Sequence, residues 1–121
     1  MNLTNDRKPR SSLSIEVGEG LTLDSIKVAL MEEIDKRGSI SAAQRELGLT
    51  YRTAWLHIGS VNRTFSRKIV VASVGGKQGG GAYVTDLGRS LAAAFRRAEL
   101  RAQQATEEEN RAPPRSAAPM T

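Results

Sequence analysis

Three groups of residues in this chain have the types that chemistry uses. Glu32 and Glu33 are adjacent carboxylates, the kind of pair that serves general acid–base catalysis. Neighbouring helix positions do not face each other, however, and no histidine or metal ligand lies close in sequence. His57 is the only histidine, and beside Trp55 it reads as a surface or packing residue rather than a base. The third group is Gly75-Gly76-Lys77-Gln78-Gly79-Gly80-Gly81, whose backbone N–H groups could cradle a phosphate. A Walker A loop needs a glycine five positions before its Gly-Lys pair and a Ser or Thr after it. Here Val71 and Gln78 occupy those positions. With no cysteine there is no disulfide, thiolate zinc site or cysteine nucleophile. No enzyme activity, cofactor or metal is expected.

Charge points elsewhere. Between Leu47 and Thr85 there is no acidic residue, while Arg52, Arg63, Arg67, Lys68 and Lys77 lie there, matching the net +5 of the whole chain. One sign of charge shared by a helix and a loop suits a polyanion, with duplex DNA the expected partner.

The remaining elements must present those charges. Residues 1–12 read as a disordered basic arm in which Arg7, Lys8 and Arg10 could touch phosphates. Ser14 to Val17 fits a short edge strand. Thr22 is expected to cap a helix with Asp24 in its first turn, running to about Arg37 and stopping at Gly38. Ile26, Leu30 and Ile34 form its apolar stripe, widened by Ala29 and Met31. A short helix follows, capped by Ser39 or Ser41; Ser41 with Gln44 fits a capping box. Ala42, Ala43 and Leu47 suit a core, and Gly48 a tight connection. Thr50 then caps a longer helix reaching roughly Ser66. At about 100° per residue, Ala54, Ile58, Val61 and Phe65 fall on one side. Arg52, Leu56, Gly59 and Arg63 cluster opposite, with Tyr51 and Trp55 between. This is helix–turn–helix spacing with a basic second helix.

Ile69, Val70, Val71 and Val74 change the period to that of a strand, and Ala82 to Thr85 can return. Five glycines in seven residues between them exclude a regular helix. The pair reads as a hairpin wing with Lys77 at its tip. Thr85 is expected to cap the last helix, where Leu87, Leu91, Phe95 and Ala98 recur at helical spacing. Its length, reaching about Glu108, and a thin core with 4% aromatic residues favour sharing it across a dimer. The expected organisation is the arm, a domain over 13–108 with a dimerisation helix from about 85, and a disordered tail over 109–121.

The fold class is therefore mainly α with a β-hairpin wing, a winged helix–turn–helix. The pieces Gly38-Ser39-Ile40-Ser41-Ala42-Ala43, Leu47-Gly48-Leu49-Thr50-Tyr51-Arg52, Ala54-Trp55, Asn62-Arg63, the glycine loop through Ala82, and Leu87-Gly88 narrow it. Over approximately Leu21 to Arg97 the chain closely resembles the N-terminal DNA-binding domain of the ModE family of molybdate-responsive transcription regulators. More distantly it resembles that of LysR-type regulators. The resemblance implies a DNA-facing wing and a regulator domain standing alone, because residues 113–121 cannot form a molybdate-binding domain. No small-molecule effector is expected within this chain.

The expected function is sequence-specific binding of double-stranded DNA by a homodimer. Thr50, Tyr51, Arg52 and Trp55 are the base-contact candidates. Arg52 is foremost because its fork can bond guanine O6 and N7 together. Trp55 could stack on sugar or thymine methyl groups, or lie partly buried against the hairpin. Arg63, Arg67, Lys68 and Lys77 are the phosphate candidates. Leu87, Leu91, Phe95 and Ala98 are the dimer-interface candidates. A weakly selective architectural DNA-binding protein is the first alternative and a protein-interaction adaptor the second. No apolar run is long enough to span a bilayer and the N-terminus lacks a signal peptide's apolar core, so no membrane partner and a cytoplasmic, nucleoid-associated location are expected.

Overall fold

The computed structural model describes residues 9–73 and 81–111. In chain order the elements are β1 (Ser14–Glu16), β2 (Thr22–Asp24), α1 (Ser25–Arg37), α2 (Ile40–Glu46), α3 (Tyr51–Thr64), β3 (Val70–Ala72), β4 (Ala82–Val84) and α4 (Asp86–Arg111). Val74 and the wing tip with Lys77 lie outside the described residues.

The helix–turn–helix and its caps follow from local chemistry. The N–H of Gly38, at φ 71°, donates to the Ile34 carbonyl and closes α1. Ser39 rather than Ser41 caps α2, its Oγ accepting from Ala42 N at 3.1 Å. Gln44 therefore makes no capping box. Its Nε2 instead donates to the Leu49 carbonyl at 3.1 Å and braces the connection into α3. Thr50 caps α3 as expected, accepting from Thr53 N at 3.1 Å.

The start of α1 differs from the expectation. Thr22 sits in β2, antiparallel to β1 with Ser14 opposite Asp24, and Asp24 is the N-cap. A lone edge strand leaves its N–H and C=O groups without partners, and Thr22 to Asp24 supplies them. The turn between them takes positive φ at Gly18, Glu19 and Gly20, a conformation cheap for glycine. Lys27 is nearly buried, and its Nζ donates to the Thr22 carbonyl at 2.7 Å, tying helix to hairpin again.

Helix α1 runs through the middle of the molecule. Val28, Leu30, Met31 and Ile34 are buried among Ile40 and Ala43 of α2, Ala54, Ile58 and Val61 of α3, and Ala92 and Phe95 of α4. Ile26 and Ala29 of the expected stripe are only half-buried, because Val28 turns into the core instead. The base of the wing completes the core. Ile69, Val70, Ala82 and Val84 are buried, with Val70 paired to Val84 and Ala72 to Ala82. Ala82 N also donates to the Gly38 carbonyl at 3.0 Å, fastening β4 to the end of α1.

Helix α4 closes over this ribbon at Gly88. A Cβ there would run into Val84 Cγ1, and would stand 2.9 Å from the Ile69 carbonyl oxygen. Only glycine allows so close an approach of helix to strand. We expect Gly88→Ala to destabilise the fold by about 1–3 kcal/mol through overpacking. Urea unfolding of both chains checks this; an unchanged midpoint would contradict the close contact.

Candidate nucleic-acid interface

Packing decides which face of α3 is free. Ala54, Ile58 and Val61 are buried and Phe65 half-buried, so the opposite side faces outward. Arg52 and Arg63 are exposed on it. Tyr51 is 54% exposed, Trp55 37% and Leu56 61%. The Tyr51 and Trp55 rings meet edge to face, with centroids 5.9 Å apart. That contact orients two rigid surfaces at the start of the helix, where helix–turn–helix proteins approach base edges. The hydroxyl of Thr50, also exposed, donates to Thr53 Oγ1 at 2.9 Å while capping α3.

Arg67 and Lys68 are exposed in the connection from α3 to β3. Two side chains hold that connection. Asn62 Oδ1 accepts from Ile69 N at 2.9 Å and Val70 N at 3.0 Å, and Asn62 Nδ2 donates to the Val70 carbonyl at 2.9 Å. From the other side, Thr85 Oγ1 donates to the Lys68 carbonyl at 2.9 Å and accepts from Gly88 N at 3.2 Å. Tyr83, flanked by buried Ala82 and Val84, is exposed on β4 at the base of the wing. Leu56 and Tyr83 are exposed members absent from the sequence-based candidates. Leu56 lay on the outward face of the helical projection, and Tyr83 is the middle residue of an in–out–in strand.

Ion pairing divides the molecule. Among the described residues, Arg37 pairs with Glu33 and Glu46, Arg89 with Asp35 and Asp86, and Arg96 with Glu32 and Glu99. None of these pairs involves a residue between 47 and 85. Donating to the Glu32 carboxylate raises the Arg96 guanidinium above its ordinary value, and donating to Glu33 does the same for Arg37. A groove beside α4 contains Arg10 and Arg96, but two carboxylates already occupy Arg96. Among the described residues no cluster of three or more His, Cys, Asp or Glu is placed to hold a metal ion. No described helix is long and apolar enough to cross a membrane.

The interface candidates on α4 divide as well. Phe95 is 1% exposed, and Leu87 and Leu91 are partly buried against the same core. Phe95 therefore has no surface left for a partner. Ala98 is half-buried, whereas Leu100 is 58% exposed. Of the expected arm, Pro9 and Ser11 lie along α4: Gln103 Nε2 donates to the Pro9 carbonyl at 3.1 Å, and Ser11 N donates to Gln103 Oε1 at 2.8 Å.

No family model matches the chain. Among curated proteins it is 36% identical over 91 residues, 75% of its length, to the molybdenum-pterin-binding protein MopA of Rhodobacter capsulatus, covering 34% of that protein. It is 36% identical over 93 residues, 77% of its length, to the molybdenum transport protein ModE of Azotobacter vinelandii, again covering 34%. Against the DNA-binding transcriptional dual regulator ModE of Escherichia coli it is 33% identical over 79 residues, 65% of its length and 30% of that protein. The chain is homologous to the ModE-type regulators. It spans about a third of the length of these ModE relatives, so the similarity concerns one domain's worth of sequence.

One glycine of α3 has no close-packing role in the fold. Gly59 lies within α3, and a Cβ added there would meet only Arg63 Nη1, at 3.2 Å. That atom ends a flexible, exposed side chain and can yield. Glycine within a helix is less favourable than alanine by about 0.8–1.0 kcal/mol. Gly59→Ala should therefore raise the urea midpoint, the reverse of the effect at Gly88. A lower midpoint would mean that the Arg63 guanidinium cannot move aside.

Proposed function

We propose that this chain is a transcriptional regulator that binds duplex DNA sequence-specifically as a homodimer. The observation that carries the reading is the outward face of α3 and its connection to β3. Arg52, Arg63, Arg67 and Lys68 are exposed there, and none belongs to an ion pair among the described residues. Elsewhere Arg37, Arg89 and Arg96 meet carboxylates on neighbouring helices; here the sequence supplies no acid at all, which leaves the charges for a polyanion. The names of the ModE relatives point the same way.

In this reading α3 enters the major groove. Arg52 bonds a guanine edge, and Tyr51, Trp55 and Leu56 offer apolar surface to base edges and thymine methyl groups. Thr50 lies at the entry of the helix, within reach of a base or the adjoining phosphate. Arg63, Arg67 and Lys68 hold phosphates, as does Lys77 at the wing tip. Selection of bound duplexes from a random pool tests the reading as a whole. One motif with symmetric halves about 34–36 Å apart fits a dimeric regulator. A flat selection would favour the weakly selective architectural alternative. Arg52→Ala should narrow the gap between target and mismatched duplexes by about 1–3 kcal/mol. Equal loss on both duplexes would reject base reading by Arg52.

The dimer is supported by the extent of α4. Its 26 residues span about 39 Å at 1.5 Å per residue. Its buried positions, Gly88, Ala92 and Phe95, all lie in the first ten residues. The remainder has little of its own domain to cover it, and Leu100 stands out from it. We infer that the interface begins at Ala98 and runs along this remainder, on the side of the helix that Leu87 and Leu91 continue back towards the core; Leu100 lies on the opposite side. Light scattering at micromolar concentration should give twice the 13.1 kDa chain mass. A single-chain mass with and without duplex would reject the dimer.

A further inference from the structure

We propose that Asn62 is a positioning residue for DNA recognition, locking the wing strand to the reading helix and so setting where Arg67 and Lys68 meet phosphates. The inference rests on the DNA-binding reading above and adds a mechanism to it.

The geometry is that of a two-sided clamp. Val70 pairs with Val84 across the ribbon, yet its own N–H and C=O go to the Asn62 amide, at 3.0 and 2.9 Å. The neighbouring Ile69 N–H shares Oδ1 at 2.9 Å, while the Ile69 carbonyl accepts from Thr85 N on the other edge at 2.9 Å. The amide can face only one way: a flipped side chain would set NH2 against two N–H donors and oxygen against a carbonyl. Among the described residues Asn62 is the only α3 side chain hydrogen-bonded to the ribbon. The group is partly buried, where a backbone donor or acceptor left unpaired is costly. Apolar packing of Ile69 and Val70 holds the ribbon near the helix, but packing is not directional. Three hydrogen bonds with fixed geometry set its angle and register.

Arg67 and Lys68 sit in the short span between these anchor points, with Asn62 before them and Ile69 directly after. Their backbone is therefore held at a set distance from Arg52 and Arg63 on the same helix. A duplex presents phosphates at fixed spacing, so four cations on one rigid body can engage together. Loss of Asn62 would leave the span held from the α4 side by Thr85 but no longer fixed to α3, so Arg67 and Lys68 could shift relative to Arg52 and Arg63, and ordering them again on binding would lower affinity.

The test uses the full chain and its selected duplex. In the native chain the double change Arg67→Ala/Lys68→Ala should lower the slope of log affinity against log salt by about 1.8, at about 0.9 per phosphate contact. Asn62→Ala alone should remove more than half of that slope difference. Adding Arg67→Ala/Lys68→Ala to Asn62→Ala should then change little. Amide hydrogen exchange supplies a readout without DNA: Ile69 and Val70 should exchange faster in Asn62→Ala while Val28 and Leu30 in α1 keep their protection. If Asn62→Ala does not fold, Asn62→Ser, which is too short to span all three groups, goes through the same cycle. A native slope in the Asn62 variant, or full additivity of the changes, overturns the role of Asn62 while DNA binding stands. Absence of duplex binding by the native chain overturns the DNA reading itself, whatever the exchange rates show.

Discussion

A ribbon of two strands with three residues each cannot hold itself together in water, and the placement of everything that faces outward depends on how its base is gripped. The grip has two parts. Burial of Ile69, Val70, Ala82 and Val84 supplies the attraction. Direction comes from polar contacts at the edges: Asn62 from α3, Thr85 at the start of α4, and the Gly38 carbonyl at the end of α1. Gly88 lets α4 come close enough for the buried set to close. The hairpin is thus an extension of the helical core rather than an independent unit.

Electrostatics follow from that architecture. Acidic residues are concentrated on α1, α2 and α4, where they meet Arg37, Arg89 and Arg96 across or along helices. These are exposed or half-exposed pairs, each worth little to stability. Their larger effect is on the surface field. They neutralise the side of the molecule away from α3 and leave the outward face of α3 and the approach to the wing with positive charge. In the proposed reading a polyanion would meet one basic surface and not a uniformly basic particle, which would orient its approach.

The outward face of α3 is also apolar to an unusual degree for a solvated helix, with Tyr51, Trp55 and Leu56 all exposed. Charge alone would serve binding to any duplex. In the proposed reading, rigid aromatic surface beside the Arg52 guanidinium is what would distinguish base edges.

Much of this was legible in the sequence. The helix–turn–helix, its glycine stops at Gly38 and Gly48, the Thr50 cap and the outward side of α3 follow from local capping chemistry and the helical period, which act within a few residues. The acid-free stretch from Leu47 to Thr85 is a property of composition, and so is the exclusion of thiol chemistry. Contacts between distant segments were not legible. The pairing of β2 with β1 displaced the expected cap from Thr22 to Asp24, because a strand's need for a partner outweighs a local cap signal. Phe95 read as a candidate for a partner's surface, and tertiary packing placed it in the chain's own core. Helical spacing identifies a stripe but not what covers it. Asn62 and Gly88 carry no local signal of their roles at all. A polar residue at the end of a helix and a glycine at the start of another acquire meaning only when β3 is laid between them, since hydrogen-bond geometry and close approach are properties of segments brought together by folding.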